Sequence, residues 1–262
     1  MAGFRNQDRE NVEQPTGPHR SENNLPGVNM SALFDHSTNL PAIPELAAHW
    51  KKLDLAAILR RPAAFMSISQ TKSLYEPWGA QARERQWERG NLEATLKVVA
   101  AARKQSNFIS YSWVGAPIFR DNQPKSAFDK VQFASWVEGL DFSPEKRLED
   151  NELVDQLRAE VRPGDLEFNE LALQSAFIGT QLPIELSRKR VEVIVLTGFH
   201  LDWCIEGNAR AARDNGLLPI VIGDATGTQR IDQQAAAYER INSFFAPVIS
   251  AADFVRYLSD ES

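Results

Sequence analysis

Cys204 is the only cysteine in 262 residues, and it stands where a strand gives way to a helix. Upstream, Val191–Leu196 is a short, continuous, β-branched run, the pattern of a strand buried on both faces of a parallel sheet. Downstream, Ala209, Ala212 and Leu217 recur at roughly helical spacing. Asp202 is placed to cap that helix and Asn215-Gly216 to stop it. Leu218–Ile222 reads as the next buried strand, closed by Gly223-Asp224. A thiol at the first turn of such a βαβ unit feels the positive end of the helix, which favours the thiolate and suits a nucleophile. A lone cysteine also behaves as a small buried hydrophobe, so position alone leaves both roles open. His200, four residues earlier, offers an imidazole for a cysteine–histidine dyad. The alternative is that His200 contributes only its backbone and packs its ring.

The elements that position this turn follow from pattern. Ala63–Ser69 reads as a first strand and Phe108–Trp113 as a second. Between them lies a helix, Asn91–Lys104, with Leu92, Leu96, Val99 and Ala100 on one face. Glu152–Val161 predicts a shorter helix before Pro163-Gly164, and Leu53–Leu59 another. Lys72 and Glu76 after the first strand, and Glu167 and Glu170 further on, read first as solvated loop charges. Residues 1–28 are rich in Asn, Glu, Pro and Gly and read as disordered or weakly held. Apolar residues return from Met30 to Trp50, as in an arm that wraps a neighbouring subunit or covers its own domain. The division expected is an extension over residues 1–60 and a domain over 61–262. The fold class expected is α/β, a three-layer α/β/α sandwich around a mostly parallel sheet of about six strands.

Gly198, Asp202, Cys204, the helix Ala209–Asp214, Gly216 and Asp224-Ala225-Thr226 resemble the signature of the isochorismatase-like cysteine hydrolases. Relatives there include N-carbamoylsarcosine amidohydrolase, ureidoacrylate amidohydrolase, nicotinamidase and the isochorismatases proper. Gly164-Asp165-Leu166 followed by Ser175–Leu182 looks like the family's third strand and the loop after it. Ala235–Phe245, Val248-Ile249 and Ala251–Phe254 look like its last helix, strand and closing helix, so the resemblance spans residues 62–258. It implies three catalytic residues: an aspartate ending the first strand, a lysine after the third, and the cysteine. Aligning on Gln70 puts Ile68 in the aspartate's place, and a one-residue slip offers only Ser67. The lysine's place falls on Leu171. The resemblance also implies an oxyanion hole from the backbone N–H groups of Cys204 and His200, with the Phe199–His200 peptide often cis in relatives. It places Gln70, Trp113, Phe177 and Trp203 around the substrate, an aromatic lining suited to a flat or cyclic molecule; core packing is the competing role for those rings.

A site stripped of its aspartate and lysine is drier, and desolvation disfavours a thiolate. Two readings follow. One is a divergent cysteine hydrolase cleaving a carbon–nitrogen bond of a small amide through Cys204. The other is a non-catalytic relative that binds a small molecule or scaffolds a partner. Isochorismate is an improbable substrate, because its vinyl-ether hydrolysis relies on the aspartate.

Composition bounds the rest. A formal net charge of −6 and no basic cluster argue against nucleic acid. No apolar run approaches the ~20 residues of a membrane span. Met1–Gln14 is polar, without a signal core, and one cysteine allows no internal disulfide, so a reducing, cytoplasmic location is expected. The histidines are His19, His36, His49 and His200, and none follows the second strand, where nicotinamidases hold a metal. No metal and no cofactor are expected. Self-association as a homo-oligomer is expected by resemblance alone.

Overall fold

Strands that are apolar on both faces must be covered twice, and that requirement sets the architecture here. The computed structural model describes residues 40–115, 127, 143–168 and 174–259. Every residue of β1 (Ala63–Ile68) and β4 (Val193–Phe199) is buried. With β2 (Phe108–Val114), β3 (Leu166–Phe168), β5 (Leu218–Gly227) and β6 (Val248–Ile249) they form one sheet in the order β3-β2-β1-β4-β5-β6. All five neighbouring pairs run parallel. The order reverses between β1 and β4, and in open parallel sheets that switch point is where ligands bind, beyond the carboxyl ends of the strands.

Alternation along each strand divides the core in two. Phe65, Val193, Val195 and Ile220 face one layer, made by α1 (Leu55–Leu59), α3 (Asn91–Ala102) and α9 (Ala251–Ser259). Met66, Ile68, Ile194, Leu196 and Val221 face the other, made by α6 (Leu182–Arg188), α7 (Glu206–Asp214) and α8 (Gln234–Phe244). The three-layer sandwich expected from the sequence is the one observed.

Several details differ for identifiable reasons. The α3 stripe that reaches the core is Ala94, Thr95, Val98, Val99 and Ala102, with Leu92 and Leu96 at its margin and Ala100 exposed. The helix expected over Glu152–Val161 shrinks to α5 (Asp155–Arg158). Leu153 instead makes an antiparallel bridge to Thr71, and the Val154 N–H donates to the Gln70 carbonyl at 3.1 Å. Ahead of it, Ser143 caps α4 (Pro144–Asp150), which carries proline in its first turn.

β4 continues past Leu196 to Phe199 because Gly198 adopts φ +108°. A Cβ there would lie 1.9 Å from the Ile68 carbonyl oxygen, so only glycine lets β4 approach β1 so closely. β5 follows it to Gly227, re-registering after a bulge between Leu196 and Gly198.

Of the N-terminal arm, residues 1–28 lie outside the described residues. Leu40–Trp50 lies against its own domain: the Asn242 side chain donates to the Glu45 carbonyl at 2.7 Å, and the Trp50 indole donates to the Asn242 carbonyl. Among the described residues no helix is long and apolar enough to cross a membrane.

Candidate active site

Cys204 sits at the carboxyl edge of the sheet beside the switch point, but not on a capped helix start. After β4 the chain makes a π-helical turn, Leu201–Ile205, and α7 follows. His200 precedes that turn without a side-chain cap, and Asp202 lies inside it, so the capping role expected for Asp202 is not realised. Gly216, at φ +79°, ends the segment as expected.

The thiol is 7% exposed and shares an apolar cluster with Ile68, Val114, Leu201 and Ile205. Burial pushes it up to about 12; the backbone N–H of His200 works in the opposite direction, and the charge of Asp202 adds to the rise. This reverses the thiolate expected from the helix start, because desolvation by aliphatic neighbours outweighs a backbone dipole. Ile68, in the place the family aspartate would hold, is one of those neighbours and is fully buried. Strand alternation turns Ser67 to the α3 side, where its hydroxyl has no partner. Leu171 and Glu170 lie outside the described residues. Lys72, largely buried, pairs with Glu152 at 3.0 Å and Asp155 at 3.1 Å, and the more exposed Glu167 pairs with Arg158 at 2.6 Å, so each charge is engaged in an ion pair. Glu76 ends the short helix α2 (Lys72–Tyr75).

The backbone N–H of His200 faces the thiol, while its ring meets a charged partner. The Phe199–His200 peptide is cis. The imidazole Nε2 meets Glu84 Oε2 at 2.8 Å, with the two side chains 8% and 0% exposed. Trp203 stacks on the imidazole, with ring centroids 6.5 Å apart and 19° between the planes. Burial opposes the imidazolium, but the charge and hydrogen bond of Glu84 outweigh it and raise His200 above the usual histidine value. Glu84 is lowered in turn: burial raises it, and the charge and hydrogen bond of His200, with help from Gln86 and Arg89, prevail. Among the described residues, the ring's hydrogen-bond partner is Glu84, and no bond joins it to the Cys204 sulfur.

From Glu84 a buried chain of amides and hydroxyls runs back to β1. Gln86 donates to Glu84 at 3.0 Å and to the Thr228 carbonyl at 3.0 Å. Asn91 Nδ2 donates to the Gln86 side-chain Oε1 at 3.1 Å. The Tyr75 hydroxyl lies 3.0 Å from both Asn91 Oδ1 and Gln70 Oε1, and Gln70 donates to Thr95 at 3.0 Å and Thr197 at 3.2 Å.

The residues proposed from sequence thus separate. His200 and Trp203 stand beside Cys204. Phe177 shares the apolar cluster of Cys204, but its ring also lines a cleft at the amino ends of β4 and β5, with Leu186, Arg190, Val191 and Leu217. Gln70 has its side chain committed to the buried amide chain. Trp113 packs on Phe65 in the α3 layer, 5.6 Å between centroids, and donates to Asp165 at 2.9 Å.

Two residues went unnoticed in the sequence. Asn208 donates to the Cys204 carbonyl at 2.7 Å and to the Gln174 carbonyl at 3.0 Å, and accepts from the Ala176 N–H at 2.9 Å. It ties the loop before α6 to the thiol's own turn, and an amide four residues after the cysteine was the available clue. Glu84 carried no local signal: in Ala-Arg-Glu-Arg it looks like one more solvated charge. Among the described residues no cluster of three or more His, Cys, Asp or Glu side chains is arranged to hold a metal ion.

Comparison with known proteins adds context to this geometry. The model of the isochorismatase domain matches residues 66–253. A cysteine hydrolase from Pseudomonas syringae pv. phaseolicola is similar in structure at 17% identity and a TM-score of 0.61, over 83% of this chain and 98% of that one. An isochorismatase family protein from Desulfovibrio vulgaris aligns at 19% identity and 0.58, over 76% and 99%. N-carbamoylsarcosine amidase from Thermoplasma acidophilum aligns at 19% and 0.50, over 72% and 96%. At these identities the structural likeness is one of fold.

Proposed function

The chain belongs to the isochorismatase family, and from that premise we propose that it is a divergent hydrolase. It cleaves a carbon–nitrogen bond of a small, cyclic or aromatic amide through a thioester on Cys204. The observation that carries this reading is the backbone N–H of His200 facing the Cys204 sulfur at the switch point of the sheet, where an oxyanion formed on the attacked carbonyl is met by fixed dipoles.

In the reaction, the Cys204 proton passes to His200 and the sulfur attacks the amide carbon. The carbonyl electrons move to oxygen, which the N–H groups of His200 and Cys204 hold. The imidazolium protonates the departing nitrogen, the C–N bond breaks, and an amine or ammonia leaves a thioester. Water then attacks that thioester, its proton passing through the imidazole to the sulfur, and the acid is released. The imidazole and the thiol close on each other around the substrate, as catalytic pairs held apart in empty sites commonly do. Trp203 supplies a flat wall beside the reacting group. Self-association and a cytoplasmic location belong to the same reading.

A second reading, a small-molecule-binding relative without turnover, is favoured by the aliphatic burial of the thiol against Ile68. Alkylation of Cys204 by iodoacetamide, followed by mass spectrometry, together with ammonia release from a panel of small cyclic amides and ureas, separates the two. A hydrolase releases ammonia from at least one of them, and Cys204→Ser abolishes the release. No turnover, with a thiol that alkylates about 10³-fold more slowly at pH 7 than in the unfolded chain, as a shift from 9.0 to about 12 requires, supports the binder and overturns the hydrolase.

A further inference from the structure

A hydrolase that carries Ile68 at the end of β1 receives no carboxylate from that strand, yet one carboxylate is buried 2.8 Å from the imidazole. Glu84 arrives from the segment between α2 and α3, 116 residues away in sequence from His200. Its carboxylate is fixed from several sides. His200 Nε2 lies 2.8 Å from Oε2, Gln86 Nε2 donates to the same oxygen at 3.0 Å, and Gln81 Nε2 reaches Oε1 at 3.4 Å. Gln86 is itself anchored on the Thr228 carbonyl, and Arg89 donates to that carbonyl at 3.1 Å and to Gln86 at 3.3 Å. A carboxylate so held cannot swing away from the ring, and a full charge taken out of water demands such partners.

With Nε2 engaged, Nδ1 is the ring nitrogen left for proton exchange. We infer that Glu84 is the positioning residue of this site: its carboxylate accepts from the His200 Nε2–H and so leaves Nδ1 as the nitrogen that takes up and releases the thiol's proton, in place of the carboxylate β1 lacks. This rests on the reading of His200 as the proton carrier in the proposed hydrolysis. The arrangement has the logic of a thiol, a base and an orienting carboxylate, assembled from the β1–α3 connection. The charged groups facing the imidazole are Glu84 and Arg89 from that connection and Asp202 from the π-helical turn, with the uncharged rings of Phe199 and Trp203 beside it. Asp202 and Arg89 act on the ring's charge in opposite directions, which leaves Glu84 as the group that decides it.

The test follows the alkylation of Cys204 by iodoacetamide from pH 6 to 10 in the full-length protein and in the variants His200→Ala, Glu84→Gln and Glu84→Asp. Alongside, NMR follows the His200 ring, assigned by its loss in His200→Ala. The expected result is an alkylation rate that rises as the imidazole loses its proton. In Glu84→Gln that rise moves to lower pH by about one unit or more, as loss of a paired charge requires, because burial alone then sets the ring. Glu84→Asp keeps the rise near its original pH, which packing alone does not explain. A rise that depends on His200 but stays put in Glu84→Gln overturns the role of Glu84 and leaves the proton carrier standing. Alkylation unchanged in His200→Ala overturns the proton carrier itself. The unsubstituted protein provides a check that needs no variant to fold: a His200 ring titrating at or below 6.5 overturns the inference.

Discussion

The two sides of Cys204 are built from opposite materials. Toward β1 and β2 its apolar cluster is aliphatic, with Ile68 and Val114 among the members, and the thiol is held neutral. Toward the β1–α3 connection the neighbours are an ion pair and a chain of amides and hydroxyls, from Glu84 through Gln86, Asn91 and Tyr75 to Gln70. Each side is internally consistent: one leaves no charge to solvate, and the other satisfies its charges in series. The lesson is that polar capacity near a reactive atom can be relocated between elements while the fold stays the same.

The seam between the two sides is the most sensitive point. Gly198 runs against the Ile68 carbonyl on one side and leads into His200 on the other. Gly198→Ala places a methyl group 1.9 Å from that oxygen at a positive φ. The expected cost is on the order of 5 kcal/mol, enough to unfold a marginal domain, read by urea denaturation; a variant within about 0.5 kcal/mol of the parent, a figure typical of ordinary surface changes, would show that the sides are not joined there.

Next in size is the ion pair. Glu84→Leu strands a buried imidazole and is expected to cost about 3–5 kcal/mol, while Glu84→Leu with His200→Phe recovers most of it. The pH dependence follows from the signs of the two shifts. Glu84 is lowered, so its contribution is present above its unfolded value near 4.5 and is lost as pH falls. His200 is raised, so its contribution is present below 6.5 and is lost as pH rises through its folded value. The pair therefore stabilises most between those limits. Thermal unfolding across pH should show that maximum in the parent and flatten in the double variant.

The smallest effect sharpens the comparison further along the polar chain. Tyr75→Phe removes the hydroxyl between Gln70 and Asn91 and is expected to cost about 1–2 kcal/mol with an unchanged denaturant slope. The equal-sized hydrophobic change Ile68→Leu on the other side should stay under about 1.5 kcal/mol.

How much of this was legible in the sequence depends on how local the cause is. The parallel sheet was, because Val191–Leu196 and Leu218–Ile222 announce two-sided burial within a few residues. The absence of a carboxylate from the first strand was also visible, since Ala63–Ile68 carries none. The shortened helix α5 was not, because Leu153 answers to a bridge with Thr71, 82 residues distant by their numbers. Glu84 was not either, because a glutamate between arginines reads as solvated until a distant histidine claims it. The direction of the Cys204 shift turned on the same issue: the helix start is a local signal, and the aliphatic neighbours that overrule it come from β1 and β2.

The order β3-β2-β1-β4-β5-β6 also governs how the molecule is made. β1 pairs with β4 in register from Ala63 with Val193 to Ile68 with Gly198, so the middle of the sheet closes only after 125 further residues follow Ile68. At a synthesis rate of about 5–20 residues per second, β1 waits about 6–25 seconds for β4. During that interval the apolar edge formed by Ala63–Ile68 faces solvent or a chaperone, and loop-closure entropy delays its burial. A topology that places the reactive turn at the centre of the sheet thus makes that centre close only after β1, β2 and β3 have all been made, with β5 and β6 added to it afterwards.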